Sequence, residues 1–217
     1  MKRIVLWIAA IFMSVATTMA ENPTPVSDVS ALKSKMQAAA AKVSSIQSDF
    51  VQEKFMSAMA GSMKSTGKFF YQKADKVKLE YLTPFKQNLI MNGNKLLMEM
   101  NGKKNSMDAS SNPMAAELKK VISACMSGDI ANMGENYDLA YFQDGANYLI
   151  RITPKAANVK KFAEQVDLYV DASDFSVVKM KMVEPIKKGQ KKNDYTEYSF
   201  NNRKNNAPIA ETVFAIK

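Results

Sequence analysis

Residues 67–100, GKFFYQKADKVKLEYLTPFKQNLIMNGNKLLMEM, decide the fold of this protein. Apolar and polar side chains alternate in three runs along this stretch, and the third run follows the pair Asn92-Gly93. A period of two places successive side chains on opposite faces of a sheet. Asn-Gly favours a two-residue turn, because both central residues of that turn need a positive φ. The stretch therefore predicts an antiparallel meander with one apolar face.

The alternation also predicts which side chains form the apolar face. A strand over 46–55 precedes the meander and contributes an aromatic residue to the same face. The residues expected there are Phe50, Phe69, Tyr71, Val77, Leu79, Tyr81, Leu89, Met91, Leu96, Met98 and Met100.

Two amphipathic helices are predicted to accompany the strands. Apolar residues recur at spacings of three and four over 28–43, and this stripe includes Met36 and Val43. A second helix starts at Pro113 and runs to about Met126. Its apolar face carries Met114, Leu118, Val121 and Ile122.

The count of predicted elements defines the fold class. The predicted strands include those over 87–92, 161–170 and 175–183, a last long strand that begins over 195–200, and a hairpin at Asn101-Gly102. About eleven strands and two helices indicate an α+β, mainly β protein. About eleven antiparallel strands can curl into a half-open barrel, and the helices are then available to lie on its concave face.

The first twenty residues have the pattern of a secretory signal. Lys2 and Arg3 precede an apolar run over 4–15, and the stretch ends in small residues at Ala20. We therefore expect cleavage after Ala20, export to the periplasm, and a single domain over 21–217. The apolar run is too short for a stable membrane span.

The composition argues against most catalytic chemistry. The chain of 217 residues has no histidine and a single cysteine, Cys125. This excludes Ser-His-Asp and Cys-His nucleophile pairs and histidine-based zinc sites. No metal-ligand spacing, phosphate loop or dinucleotide motif is present, so we expect no enzyme activity, no metal and no cofactor. The net charge is +9, but the basic residues are not gathered with aromatics on one helix, so nucleic acid is not the expected partner.

Two features admit more than one interpretation. The 16 methionines are either ordinary core filling or a compliant apolar surface that repacks around varied chains. The basic run over 187–192 is either a solvated hairpin loop or a docking site for an acidic partner or anionic headgroups. The residues of this candidate docking site are Lys187, Lys188, Lys191 and Lys192.

The ordered set of short motifs resembles the outer-membrane lipoprotein carrier protein family, LolA. The motifs are residues 48–52 (SDFVQ), 67–71 (GKFFY), 79–81 (LEY) with Pro84 and Gln87, and 92–96 (NGNKL). The leader, the first helix, the helix after the sixth strand and the later hairpins follow in the family's order. The resemblance covers essentially the whole chain after the leader.

The resemblance implies an incomplete antiparallel barrel with a helical lid over an apolar cavity for acyl chains. It implies a monomeric carrier that takes acylated lipoproteins from an inner-membrane lipoprotein-releasing ABC complex and delivers them to an outer-membrane acceptor. Lys73 stands where relatives carry an arginine that latches the lid. Lysine keeps the charge but lacks the planar fork of arginine, so Lys73 is expected to form a looser latch.

Two alternatives remain at this point. The same fold could serve a periplasmic sensor that binds lipid or mislocalised lipoprotein, although such relatives usually carry a second domain. An enzyme acting on lipid or glycan is the third interpretation, and the absence of histidine weighs against it.

Overall fold

The fold is taken from a computed structural model of the chain. It describes residues 22–59, 61–73, 75–112, 115–116, 119, 121, 123–124, 130–133 and 135–216. The expected signal segment over 1–20 lies outside these residues, as do Met114, Leu118, Ile122 and Cys125.

Strands form most of the described chain. They are β1 (Thr24–Pro25), β2 (Ser45–Met56), β3 (Gly61–Gln72), β4 (Lys76–Thr83), β5 (Gln87–Asn92), β6 (Lys95–Met100), β7 (Lys103–Asp108), β8 (Tyr137–Asp144), β9 (Asn147–Pro154), β10 (Gln165–Asp171), β11 (Val177–Val183) and β12 (Tyr195–Asn205).

Helical elements are few among the described residues. The α-helices are α1 (Val29–Ala41) and α2 (Ala157–Lys160), and the 3-10 turns are η1 (Ser57–Met59), η2 (Ile130–Met133) and η3 (Glu211–Phe214). Residues 115–116, 119, 121 and 123–124 are also helical, and we call them the second helical segment. They lie where the sequence predicts the second helix.

The strands form one antiparallel sheet in the order β1-β8-β9-β10-β11-β12-β2-β3-β4-β5-β6-β7. The sheet is open, because β1 and β7 stand at its two ends and are not paired with each other. The prediction of a mainly β, half-open antiparallel fold is confirmed. The described chain has twelve strands rather than about eleven, because the proline-rich segment Thr24–Pro25 adds a short edge strand beside β8.

The turns explain the register of the meander. Asn101 and Gly102 both have positive φ, 52° and 74°, as a two-residue hairpin turn requires. In the preceding hairpin the last pair is Asn92 with Lys95, so Gly93 and Asn94 form the turn, one residue later than the Asn-Gly pair suggests.

Two strand boundaries differ from the prediction. The strand expected from Lys161 begins at Gln165, because Ala157–Lys160 forms α2. The strand expected from Phe175 begins at Val177, because Phe175 has φ +59° and closes the turn. Extended strand backbone does not reach that region.

One face of the sheet, which we call the inner face, carries two apolar clusters. The first cluster lies over β2–β6 and contains Ile46, Phe50, Tyr71, Val77 and Leu96 among its members. The second cluster lies over β8–β11 and includes side chains from α1 and η2. The helices therefore cover the inner face, and the sheet supplies the floor.

The C-terminal turn η3 packs on the opposite, outer face. It contacts β4 and β5. Asn92 Nδ2 donates to the Phe214 carbonyl oxygen at 3.1 Å, and Lys76 pairs with Glu211. Phe214 is completely buried, and so this short tail closes a small core of its own on the outer face.

Candidate functional site

The register of the meander arranges the inner-face residues in rows. Because directly opposite residues of antiparallel strands share a face, Tyr71, Val77, Met91 and Leu96 form one row. All four are at most 4% exposed. This row is the sealed floor of the first cluster.

The next row of the inner face is open toward β6. It runs from buried Phe69 through half-buried Leu79 and Leu89 to Met98, which is 49% exposed. Beyond it, Met100 on the same face is 55% exposed. These predicted residues all lie on the inner face, but Met98 and Met100 are accessible rather than enclosed.

At the end of the inner face away from β6, the Phe50 ring of β2 lies directly on the backbone of β3 at Gly67. A Cβ atom at Gly67 would lie 2.6 Å from the Phe50 ring and would overlap the Glu80 carbonyl oxygen. The Phe50 ring packs edge-on against Tyr81, with 5.0 Å between ring centroids. Glycine at position 67 is therefore what lets the aromatic side chain lie directly on the strand.

A hydroxyl network lies beside this aromatic group. The hydroxyl oxygens of Tyr81 and Tyr198 are 2.9 Å apart, and Gln52 Nε2 donates to Tyr198 at 2.9 Å. Burial raises the pKa of both tyrosines, so both stay neutral at physiological pH. Sequence analysis did not include Tyr198 or Phe200 on the apolar face, although their alternation within the last predicted strand is a usable signal.

The residues predicted to form the lid are divided between the two clusters. Met36 of α1 is buried in the second cluster, and Val43, just past the end of α1, packs against the first. In the second helical segment, Ala115 belongs to the first cluster, while Val121 packs against the second. Both helical elements therefore lie on the inner face. Met114, Leu118 and Ile122 lie outside the described residues.

The space beneath the C-terminal half of α1 is small. A cavity of about 40 Å³ lies between α1, η2 and the β10–β11 turn, and a second of about 10 Å³ lies beside Ile46 and Phe69. A cavity needs roughly 10–15 Å³ of such space to hold one water molecule. At these two places the apolar stripe of α1 and the sheet fill the interior with their own side chains.

Lys73 contacts the end of α1. Its Nζ atom donates to the Ala41 carbonyl oxygen at 3.3 Å, and its backbone nitrogen donates to the Ser44 carbonyl oxygen at 2.8 Å. Asn206 Nδ2 donates to the neighbouring Lys42 carbonyl oxygen at 3.0 Å. The residue predicted as the lid latch thus lies at the C-terminus of the helix it was expected to hold.

The four lysines predicted as a docking site lie exposed on the loop between β11 and β12. Lys187 Nζ is 2.9 Å from Glu184 and 3.7 Å from Asp194, and these contacts raise its pKa. Hydrogen bonds from the backbone and the hydroxyl of Ser57 lower the pKa of Asp194. The loop is therefore anchored to η1 at its base.

Sequence analysis missed two polar residues of the inner face, Ser48 and Arg203. They are brought together by an irregularity in the pairing of β12 with β2. The sequence does not indicate this irregularity, because a run of polar residues does not show where one strand has an extra residue relative to its partner.

These features define an open-sheet protein with a helix-covered apolar face. The described residues contain no helix that is long and apolar enough to cross a membrane. Among the same residues, no group of three or more acidic or cysteine side chains is placed to hold a metal ion.

The family model described as Outer membrane lipoprotein carrier protein LolA matches residues 41–217. The chain therefore belongs to the LolA family, and the resemblance seen in the sequence is confirmed. No curated protein matches the chain.

Solved structures also match the chain at low identity. The MucA/MucB complex of Pseudomonas aeruginosa matches with 16% identity and a TM-score of 0.48 over 85% of this chain, which spans 59% of the length of that chain. A LolA superfamily protein of Nitrosomonas europaea has 13% identity and a TM-score of 0.43, covering 85% of this chain and 97% of its own. Lipoprotein LppX of Mycobacterium tuberculosis has 12% identity and a TM-score of 0.40, covering 84% and 99%.

Proposed function

We propose that this protein binds the acyl chains of lipoproteins on its inner face and carries them through the periplasm from the inner to the outer membrane. The observation that supports this is the row through Leu79, Leu89 and Met98, which continues the buried floor into an accessible apolar strip. Contiguous exposed apolar surface of this kind marks a binding site in soluble proteins.

The energetics of an acyl chain make a carrier necessary. Each buried CH₂ group contributes about 0.8 kcal/mol, so a sixteen-carbon chain gains on the order of 10 kcal/mol by leaving water. Without cargo, Val43 just past α1 and Ala115 of the second helical segment pack against the first cluster, which the accessible strip continues. Incoming acyl chains would replace these contacts with similar ones, and the exchange is nearly balanced. Loading and release then need no covalent chemistry.

The remaining elements have roles that follow from this proposal. Lys73 latches α1 while the site is empty and releases it on loading. The expected partners are acylated lipoproteins, an inner-membrane releasing complex and an outer-membrane acceptor, and the carrier acts as a monomer without catalysis. A lipid sensor is the second candidate function, and it would use the same apolar strip without delivering cargo.

The test places a charge on the accessible strip without unfolding the protein. Leu79→Glu and Met98→Glu suit this purpose, because both side chains are partly exposed, whereas Leu96 is 1% exposed and a glutamate there would disrupt the core. We expect each variant to bind a fluorescent fatty acid at least about tenfold more weakly, since a hydrocarbon chain that covers the strip would remove water from the new carboxylate.

Val51→Glu is the matched control, because Val51 is 37% exposed and its neighbours in sequence, Phe50 and Gln52, occupy the inner face. This variant should bind the probe like the parent protein. Undiminished probe binding by both Leu79→Glu and Met98→Glu would remove the inner face as the binding site. Delivery is tested separately, by measuring transfer of an acylated lipoprotein from inner-membrane to outer-membrane vesicles.

A further inference from the structure

The pairing of β12 with β2 contains a β-bulge that turns an arginine toward the interior. Asn201 pairs with Asp49 and Lys204 pairs with Gln47, so Asn202 and Arg203 together stand opposite the single residue Ser48. Asn202 has φ +54°, and its Nδ2 donates to Asp49 at 2.8 Å on the outer face. Bulges of this kind re-aim side chains next to functional sites.

The side chain of Arg203 reaches the interior beneath α1. It lines both the cavity of about 40 Å³ and the cavity of about 10 Å³. Its Nε donates to Asn205 Oδ1 at 2.7 Å, which is a neutral acceptor. Burial lowers the pKa of Arg203, and Asp174, an exposed acid at the edge of the larger cavity, acts in the opposite direction.

Ser48 lies opposite the bulge and lines the smaller cavity with Arg203. It is 6% exposed, and its Oγ has no hydrogen-bond partner within the described chain. A buried hydroxyl without a partner is uncommon, and each instance needs an explanation. A guanidinium group and an unpartnered hydroxyl thus line the same small cavity, whose other lining side chains are apolar.

We propose that Arg203 and Ser48 bind the anionic headgroup of an amphiphile whose hydrocarbon tail lies along the inner face. Arginine presents a planar fork of donors that fits a carboxylate or a phosphate, and the serine hydroxyl supplies one more donor. The inference rests on the proposed function and extends it, because it predicts that the inner face takes acidic lipids with a single headgroup besides the neutral acyl chains of lipoproteins. Displacement of α1 would widen the small cavities around this pair.

The experiment compares ligands with one tail and different headgroups. Binding of palmitate, lysophosphatidylglycerol and the neutral monopalmitin is measured by titration calorimetry. We expect both anionic ligands to bind about tenfold or more tightly than monopalmitin, as a charge-assisted hydrogen bond in a buried site contributes. A preference for one anionic ligand then separates carboxylate from phosphate recognition.

Variants assign the preference to this site. Arg203→Gln should bring all three ligands to the affinity of monopalmitin, Arg203→Lys should restore part of the preference, and Ser48→Ala should reduce it. Lys204→Gln is the matched control, because it removes the same charge from the next residue of β12, an exposed position. A preference that survives Arg203→Gln, or equal binding of the three ligands by the parent protein, overturns the inference while leaving the proposed function intact. Failure to bind even monopalmitin overturns both.

A different observation concerns the end of the sheet where β2 joins β3. Three loops meet there: η1, the β9–β10 connection over 155–164, and the β11–β12 connection over 184–194. Ser57 Oγ donates to Asp194 at 2.8 Å, and Asn193 Nδ2 donates to Glu164 at 2.8 Å, so the three loops are tied together. We call them the loop platform.

Each loop of the platform exposes one large apolar side chain. Met59 is 67% exposed, Phe162 is 51% exposed and Ile186 is 55% exposed. The acids of the platform are engaged within it, since Glu164 and Asp194 accept the bonds just described and Glu184 pairs with Lys187. The exposed lysines of these loops are Lys155, Lys160, Lys161, Lys187, Lys188, Lys191 and Lys192.

The geometry points to the surface of an anionic bilayer as the partner of the loop platform. Loops that expose both apolar side chains and lysines suit the boundary between acyl chains and negatively charged headgroups. Each lysine near such a surface strengthens binding about fivefold at low salt. The carrier would thereby collect or release its cargo at the membrane itself.

Co-sedimentation with vesicles tests this directly. The parent protein should bind vesicles of phosphatidylcholine and phosphatidylglycerol at low salt and should be released by high salt. Changing Lys187, Lys188, Lys191 and Lys192 to glutamate, or Met59, Phe162 and Ile186 to serine, should abolish binding. The control changes four exposed lysines elsewhere, Lys35, Lys42, Lys95 and Lys204, to glutamate.

Several outcomes would overturn the second proposal. They are absence of binding to anionic vesicles, equal binding to vesicles of phosphatidylcholine alone, and equal loss in the control. Self-association through the platform, seen by sedimentation velocity without vesicles, would assign the surface to a second copy of the chain instead.

Discussion

Gly67 shows how one residue sets the shape of the inner face. The position does not need an unusual backbone conformation, since its φ is not positive. It needs an empty space, because the Phe50 ring and the Glu80 carbonyl oxygen occupy the region where a side chain would start. Phe50 can then contact both Tyr81 and Tyr198. The aromatic group that closes the accessible strip depends on this missing side chain.

Gly67→Ala should therefore destabilise the protein. The new methyl group meets backbone as well as a ring, and overpacking of this kind costs about 1–3 kcal/mol. Urea unfolding followed by circular dichroism measures the change. Gly61→Ala is the matched control, because a Cβ there meets only ordinary contact at 3.8 Å. Equal stability of the parent and the Gly67→Ala variant would show that the sheet relaxes around the methyl group.

Helix α1 is held at both ends by side chains from outside its own turns. At the start, the backbone nitrogen of Ala31 donates to Asp28 Oδ1 at 2.8 Å, which is an N-cap. At the end, the side chains of Lys73 and Asn206 donate hydrogen bonds to the carbonyl oxygens of Ala41 and Lys42, respectively. Between these ends the helix relies on apolar contacts with the sheet. An element with this construction can lift when one end is released.

Lys73→Ala should loosen the last turn of α1 while leaving global stability nearly unchanged. The bond is long and exposed, so its net contribution is at most about 1 kcal/mol. Amide hydrogen exchange should become faster over residues 39–44 and remain unchanged in β9 and β10. Lys35→Ala is the control, because Lys35 lies on the exposed side of the same helix. Unchanged exchange at the end of α1 would argue against a latch.

At the scale of the whole molecule, the chain has no side chain that ordinarily titrates near neutral pH, because it lacks histidine. Hydrogen bonds from Ser110, Ser173 and Ser57 lower the pKa of Asp108, Asp171 and Asp194. Burial raises the pKa of Tyr141 to about 12. The charges that affect stability therefore change only in acid and in strong alkali.

The melting temperature should accordingly stay constant between about pH 6 and pH 8. Carboxyl groups with lowered native pKa stabilise the fold above their unfolded value near pH 4, and this contribution is lost as pH falls through the native values. Because its native pKa is raised, Tyr141 adds to the free energy of unfolding. This contribution is complete below about pH 10 and is lost as the pH rises toward about 12. Thermal melts across this range measure both limits, and a transition near pH 7 would contradict the assignment.

Much of the architecture could be predicted from the sequence. The period-two runs from Phe69 to Met100 and the glycine turns predict the meander, because alternation and positive φ are local properties. The strand over 87–92 and the hairpin at Asn101-Gly102 are found where they were predicted. The family assignment also follows from short motifs in order.

Which of the inner-face and outer-face side chains are buried could not be predicted from alternation. Whether Met98 is exposed while Met91 is buried depends on how far the helices extend across the sheet. The burial of Phe214 on the outer face depends on where a tail of a few residues docks. These are contacts between segments far apart in the chain, and alternation along one strand does not predict them.

The sequence by itself determined the open antiparallel sheet, its apolar face and the helices that accompany it, because each is encoded by residues within a few positions of one another. Local patterns did not show that only small cavities lie beneath the C-terminal half of α1, that Lys73 reaches the end of that helix, or that a bulge turns Arg203 inward beside Ser48. Cavity volumes and hydrogen-bond partners depend on how distant segments pack. In addition, one extra residue in a strand reverses the direction of a side chain.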